Sequence, residues 1–461
     1  MINIQTYKNK HIAILGLGKT GLSAAQALHK SGAIIYTWDD HQGKRDEAKK
    51  QNIPLVNLYE VNWKNIDTLL LSPGIPHTYP FPHPLTKVAQ DNHVQIICDI
   101  ELLIQNQPHA TYIAITGTNG KSTTTALIGH ILKYAGLKVA VGGNIGHPVL
   151  DLPALEEDGF YVLELSSYQL ELIKTLKFNI AILLNITPDH LERHGNMEGY
   201  IAAKKRIFSG QHHNDFAIIG LDDAFCTKIY AQLQHDSQQK LLAISNINNP
   251  TCDVFVDDGM LIHKVSNNRK PILNLKELSR LPGQHNWQNI AAAYSTCIPL
   301  GLSTKQICDG IKSFPGLPHR QELITTIDHV RFINDSKATN ADATAKALCC
   351  YNNIYWIVGG KPKETGLQGL DVYYPNILHA FLIGEAEEDF SKVLEGKLPF
   401  TLCHTLDHAV NFASKMAFKE KSDINILLSP ACASFDQFAN FEERGDIFRQ
   451  LVLNLQKEHT R

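Results

Sequence analysis

Short apolar runs rich in β-branched residues alternate with helical-period stretches along most of this chain. Residues 11–15 and 33–38 are apolar runs of strand length, and residues 20–30 between them carry apolar positions at helical spacing. That order predicts a βαβ unit, and residues 68–71 and 94–98 extend it as further strands. After a connector near 99–110 the pattern restarts, with a strand at 112–115, a helix over 122–135, and strands at 138–141, 160–163 and 180–184. Strand-like segments follow near 216–219 and 254–264, and then an alanine-rich helix running to about residue 300. Phe314-Pro315-Gly316-Leu317-Pro318 reads as a hinge, beyond which 332–333, 354–358, 381–384 and 424–428 form a second doubly wound set. The expectation is an α/β protein of three domains: residues 1–99 Rossmann-like, 100–316 a central P-loop ATPase-like domain, and 317–461 again Rossmann-like.

Composition narrows the function classes. At 461 residues the chain exceeds one ordinary domain, and a 44% hydrophobic content can bury large cores. A formal net charge of -3 offers no bulk attraction for nucleic acid or an anionic membrane, so any polyanion must be small and locally held. No apolar run approaches membrane-spanning length, and residues 1–5 do not resemble a signal peptide. Nine cysteines without a C-x-x-C pair, two of them adjacent at Cys349-Cys350, suit reduced thiols in the cytoplasm.

The chemistry concentrates where strands end. Thr116-Gly117-Thr118-Asn119-Gly120-Lys121-Ser122-Thr123 joins a strand to a helix through a glycine-rich turn, so loop amides and the helix N-terminus can cradle phosphate beside the lysine charge. A hydroxyl of Ser122 or Thr123 can reach a Mg²⁺ bridging the phosphates. The loop is two residues shorter than the common G-x-x-x-x-G-K-[ST] form. Gly16-Leu17-Gly18-Lys19-Thr20-Gly21, with acids at Asp39 and Asp40, is a G-x-G-x-x-G that taken alone indicates dinucleotide binding and a dehydrogenase. Ser72-Pro73-Gly74-Ile75-Pro76 turns at the same sheet edge.

Other segments divide between structural and functional readings. Gly142-Gly143-Asn144-Ile145-Gly146 splits evenly between an ordinary turn and a flexible binding backbone with one amide. Glu164 ends a strand in the sheet that carries the phosphate loop, a good place for a Mg²⁺ ligand. His190 and His194 fall four apart, on one face of a helix, but Leu191 stands where H-E-x-x-H needs glutamate, so zinc hydrolysis is not expected. Lys204, within a helix over 197–208, reads by itself as part of a solvated basic face. Leu281-Pro282-Gly283-Gln284-His285-Asn286 leads into the alanine-rich helix. His319-Arg320, Asn334-Asp335-Ser336-Lys337-Ala338-Thr339-Asn340, Gly359-Gly360-Lys361-Pro362-Lys363-Glu364 and Ser429-Pro430-Ala431-Cys432-Ala433-Ser434 mark the third domain, with Cys432 read as a packed thiol.

The shortened loop resembles that of the Mur ligases and the folylpolyglutamate synthetases. Ser72-Pro73-Gly74, Gly143-Asn144, Glu164-Leu165-Ser166-Ser167, Asp189-His190, Leu281-Pro282-Gly283, the 334–340 run and the 429–434 run resemble, in order and over nearly the whole chain, the D-glutamate-adding branch of the Mur ligases. The resemblance implies an ATP-dependent amide ligase acting through an acyl phosphate on UDP-N-acetylmuramoyl-L-alanine and D-glutamate. It implies ATP at Gly117, Thr118, Asn119, Gly120, Lys121, Ser122, Thr123, Asn286, Arg320 and Asp335, with Asn289 a further adenine candidate. Two Mg²⁺ are implied, one at Ser122 and Glu164, the other at His190 and Lys204, the lysine as a carbamate. Lys121, His190 and Lys204 are the implied catalytic set. The uridine substrate is assigned to Gly18, Asp39, Asp40, Ser72, Asn144, Lys337 and Thr339, and D-glutamate to Lys363, Ser434 and Phe441, with Lys361 competing for the lysine role. A cytoplasmic monomer acting on small molecules is implied, and the first-domain glycine motif then holds a diphosphate and no nicotinamide.

Overall fold

The computed structural model describes residues 1–459 apart from 176, 237, 267, 364 and 365, so Glu364 of the glycine-lysine motif lies outside the described residues. Its first sheet joins β1 (His11–Leu15), β2 (Ile34–Trp38), β3 (Thr68–Leu71) and β4 (Gln95–Ile97) in the order β2-β1-β3-β4. All three pairings are parallel. β3 is buried at every position, as a strand covered on both faces requires. The helix Lys19–Lys30 follows β1 directly, so its N-terminus opens at the carboxyl edge of the sheet.

The second sheet has nine strands: β5 (Thr111–Thr116), β6 (Lys138–Gly143), β7 (Gly159–Glu164), β8 (Ile180–Leu183), β9 (Phe216–Gly220), β10 (Lys240–Ile244), β11 (Val254–Asp257), β12 (Met260–Val265) and β13 (Asn268–Asn274). Their order is β13-β12-β11-β10-β9-β8-β5-β7-β6, parallel except for the pairings of β12 with its two neighbours. The segment 254–264, expected as one strand-like run, is therefore a hairpin. Asp258 at φ 45 and Gly259 at φ 81 make the two-residue turn, a left-handed pair that Asp-Gly adopts readily. The helix Lys121–Tyr134 packs on β6 and β7, and Gly129 lets it approach closely, since a Cβ there would lie 2.4 Å from Val141 Cγ2.

The third sheet contains β14 (Glu322–Ile327), β15 (Val330–Asn334), β16 (Ile354–Gly359), β17 (Ile377–Ile383), β18 (Phe400–His404) and β19 (Ile424–Leu428), ordered β14-β15-β19-β16-β17-β18. Only the β14–β15 pairing is antiparallel. The chain folds as two compact bodies: Met1–Leu275 with Asn286–Phe314, and Lys276–His285 with Pro315–Arg461. The first body holds the first two sheets. The stretch Lys276–His285, placed by sequence in the central domain, groups with the third sheet, which the proline and glycine punctuation at 314–318 did not reveal. Seven cysteines are buried, and Cys349 alone is exposed. Among the described residues no helix is long and apolar enough to cross a membrane.

Candidate functional site

In the first body, a cavity of about 480 Å³ opens at the carboxyl edge of the first sheet. Gly18, Asp39, Asp40, Ser72 and Asn144 all line it, so these five sequence candidates are brought together. The glycine motif shapes its floor. Gly16 has φ +94, and a Cβ on Gly21 would stand 1.8 Å from the Gly16 carbonyl oxygen, so neither accepts a side chain. Gly18 has open space around it and caps the helix without a side-chain bond, leaving the first amides of the helix Lys19–Lys30 toward the cavity. Ser72 Oγ donates to the Gly16 carbonyl at 2.9 Å, tying the two turns. The Asp39 carboxylate accepts from the amides of Leu17 and His41 at 2.8 and 2.9 Å, so its first role is to fix loop paths. Asp40 takes hydrogen bonds from His83 Nε2 at 2.8 Å and Trp38 Nε1 at 2.9 Å. Burial works against its ionised form, but those bonds prevail and hold the carboxyl below its usual range.

The phosphate loop follows β5. Gly117 and Gly120 have φ +153 and +83, and Gly120 is the N-cap of the helix Lys121–Tyr134. Lys121 Nζ folds back to the carbonyls of Gly117 and Thr118, both at 2.9 Å. Asn185, which follows β8, accepts from the Asn119 amide at 2.8 Å and donates to Gln288 Oε1 at 2.7 Å. Asn289 Oδ1 accepts from Thr124 Oγ1 at 3.1 Å, and its amide donates to Asn286 Oδ1 at 3.0 Å. The alanine-rich helix, His285–Cys297, is thus fastened to the loop, with Asn289 acting as a brace and Asn286 beside it.

Glu164 ends β7, 2% exposed. Its Oε1 accepts from Asn144 Nδ2 at 3.0 Å, while Oε2 is buried and accepts no hydrogen bond among the described residues. The glycine turn at 142–146, open between two readings in the sequence, therefore carries an amide that holds the carboxylate in place. An unsatisfied buried carboxylate oxygen near a phosphate loop fits a divalent cation. Among the described residues no three His, Cys, Asp or Glu side chains form a metal cage, so such an ion would complete its shell on phosphate oxygens and water.

His190 and His194 do not share a helical face. The helix spans only Leu191–His194, and His190 precedes it at φ 52. The His190 ring lies 3.4 Å from Asp189 and remains half exposed. The His194 ring is enclosed, bonded to Ser167 Oγ at 2.9 Å and Glu171 at 3.2 Å. Lys204 overturns the solvated-face reading: it is 2% exposed, donates to the Gly117 carbonyl at 2.8 Å, and lies 4.6 Å from the Tyr200 ring centre. Burial, reinforced by the Lys121 charge, pulls its pKa down to about 7.

In the second body, Asp335, Lys337 and Thr339 follow β15, Lys361 and Lys363 follow β16, Ser434 follows β19, Arg320 precedes β14 and Phe441 opens the last helix. Asp335 is buried, accepts from Ser429 Oγ at 2.9 Å and from the Gln321 amide at 3.1 Å, and burial pushes its carboxyl up to about 7. Arg320 follows His319, whose φ of 59 turns the chain there. Lys337 Nζ lies 5.4 Å from the Phe441 ring, and Thr339 is half-buried two residues on. Ser434 is 2% exposed. Lys361 pairs through its main chain with Ala433, whereas the exposed Lys363 lies near enough to draw down the Cys432 thiol that burial pushes to about 12. Cys432 is thus the packed thiol the sequence suggested.

Several organising residues escaped sequence reasoning. Arg444 is fully buried and donates to Ser336 Oγ and carbonyl and to the carbonyls of Cys432 and Ala433, joining two candidate loops. A lone arginine amid acids at a helix start carries no local signal. Tyr200 and Gln288 are equally silent. Asn185 had one, since it closes a strand at the edge where ligands bind.

Comparison with known proteins identifies the relatives of this chain. The model of the Mur ligase middle domain matches residues 115–297, and that of the Mur ligase MurD-like N-terminal domain matches residues 10–98. A UDP-N-acetylmuramoylalanine--D-glutamate ligase of Rhodospirillum rubrum is 47% identical over 100% of this chain and 98% of the relative. One of the same name from Paramagnetospirillum magneticum is 48% identical over 98% of each. Among solved structures, the UDP-N-acetylmuramate-alanine ligase MurC of Thermotoga maritima aligns at a TM-score of 0.58 and 17% identity, covering 97% of this chain and 99% of that one. MurF of Acinetobacter baumannii aligns at 0.57 and 20%, covering 82% of each. Both structural likenesses speak to the fold alone.

Proposed function

This chain belongs to the Mur ligase family, and we propose that within it the chain joins D-glutamate to UDP-N-acetylmuramoyl-L-alanine at the expense of ATP, in peptidoglycan synthesis. The observation that carries the reading is full-length identity of 47–48% to ligases of that specificity, with no domain left uncovered. A dehydrogenase is set aside, since the family models and the full-length relatives are those of ligases. The working species is a cytoplasmic monomer taking three small-molecule substrates.

The substrate carboxylate attacks the γ-phosphorus of ATP, giving an acyl phosphate and ADP. The D-glutamate amine, having lost a proton, attacks the acyl carbon, and phosphate leaves as the amide forms. The amides of residues 117–123 and the helix behind them hold the phosphates, and Lys121 adds charge that offsets the transferring group. Asn286 is assigned to adenine, Asp335 to ribose and Arg320 to the γ-phosphate. Gly18, Asp39, Asp40, Ser72, Asn144, Lys337 and Thr339 are assigned to the uridine substrate, and Lys363, Ser434 and Phe441 to D-glutamate. Ser122 and Glu164 would hold one Mg²⁺, and His190 with a carbamylated Lys204 a second. Bound there, the ions supply charge neutralisation. The buried, near-neutral Lys204 amine supports the modification, because an uncharged nitrogen can attack CO₂, releasing a proton and leaving an anionic carbamate where an ammonium would repel metal.

The direct test is phosphate release with ATP, UDP-N-acetylmuramoyl-L-alanine and D-glutamate, each omitted in turn. All three should be required. Release without D-glutamate, or equal rates when L-lysine replaces it, would overturn the assignment.

A further inference from the structure

We propose that Arg193 is a positioning residue that couples the uridine-substrate cavity to the Asp189-His190 segment, so that occupancy of one changes affinity at the other. The inference rests on the functional reading above and adds a residue to it.

Arg193 is 8% exposed. A buried guanidinium is costly unless its donors are met. This one meets them on main-chain carbonyls far back in the chain: NH2 donates to Ile75 at 2.7 Å and NH1 to Tyr79 at 2.9 Å. Ile75 belongs to the turn, with Ser72, Pro73, Gly74 and Pro76, that lines the cavity. Because the acceptors are carbonyls, the pairing fixes the path of the loop whatever side chains it bears.

The other end of Arg193 faces the phosphate side. Its amide donates to the His190 carbonyl at 3.0 Å, and its guanidinium lies 4.9 Å from the Tyr168 ring centre. The same ring sits 5.3 Å from His190. A second strut runs beside it, where His77 of the cavity loop and His194 approach opposite oxygens of Glu171 at 3.8 and 3.2 Å. Gly195, at φ +82, lets the chain pass close to Tyr79, whose ring would be 3.5 Å from a Cβ. A ligand that shifts the 72–79 turn must therefore move or strain the 189–194 segment, and such coupling is reciprocal.

The test is calorimetric binding of UDP-N-acetylmuramoyl-L-alanine with and without a saturating non-hydrolysable ATP analogue, in wild type, Arg193→Met and Arg193→Lys. Methionine keeps the packed stem and removes the donors; lysine keeps the charge but not the fork. In wild type the analogue should tighten the uridine substrate by at least about fivefold. Arg193→Met should lose that tightening, weaken the uridine substrate about tenfold and weaken the analogue measured beside that substrate in step, while the affinity for the analogue alone stays within about twofold. Arg193→Lys should recover part of both, and it carries the comparison if the methionine variant does not fold. Unchanged tightening in both variants, no tightening in wild type, or equal losses for each ligand measured alone with a lowered Tm would overturn the proposal. Failure of the wild type to bind the uridine substrate at all would instead overturn the functional reading.

Discussion

The Lys204 amine titrates near neutrality because burial strips water from its ammonium and Lys121 adds a like charge. With a folded pKa of about 7 against an ordinary 10.5, the folded chain binds fewer protons than the unfolded one between those values. Stability from this group therefore rises with pH across that window. The neutral amine also grows as pH climbs through 7, so ¹³C-labelled bicarbonate should give a carbamate signal that strengthens there and is absent from Lys204→Ala. That variant should lose activity by roughly 10²–10³-fold, the scale of removing one electrostatic contributor; near-wild-type turnover would sink the carbamate assignment. Asp99 shows the opposite sign. It is 2% exposed, its Oδ1 has no hydrogen bond among the described residues, and burial pushes its carboxyl up to about 7 from 3.8. The folded state holds its proton more tightly, so the charge becomes a penalty as pH rises from about 4 to 7. Denaturation at a series of pH values should show Asp99→Asn gaining on wild type across that interval and by a constant margin above it.

The turn 117–120 and the helix behind it were legible because glycines at left-handed φ, a lysine and hydroxyls sit within one local stretch. Gly120→Ala tests the geometry. A Cβ there would stand 2.2 Å from Asn289 Oδ1 at a backbone φ of +83, against the amide that braces Thr124. We expect a loss of roughly 1–3 kcal/mol in stability and weaker ATP binding, read by denaturation and calorimetry; unchanged ATP affinity would mean that the loop does not bear on the nucleotide. Elsewhere the local pattern misled. Four-residue spacing suggested that His190 and His194 face one way, but His190 lies outside the helix at φ 52 and His194 is consumed by Ser167 and Glu171. At 254–264 the apolar residues on either side suggested one run, although Asp258-Gly259 between them is the local signal of a two-residue turn.

Across the molecule, the D-glutamate candidates all lie in the second body, which gives a mapping experiment. In hydrogen exchange, ATP with UDP-N-acetylmuramoyl-L-alanine should protect residues 16–20, 72–79, 117–123 and 335–339. Adding D-glutamate should extend protection to 361–363 and 429–434. Protection by D-glutamate confined to the first body would displace Lys363, Ser434 and Phe441 from its site.

What the sequence determined by itself was the succession of strands, helices and glycine turns, and through it the α/β class, while the family came from likeness to known sequences. Those features rest on periodicity and on backbone angles only some residues tolerate, both set within a few positions. What the tertiary structure decided was which polar groups leave water and whom they meet. Lys204 finds the Gly117 carbonyl 87 residues away, Arg193 reaches back 114 and 118, and Arg444 reaches Ser336 across 108. A buried charge takes its pKa and its partners from whatever the fold packs around it, and nothing local to Lys204 distinguishes it from the half-exposed Lys205 beside it.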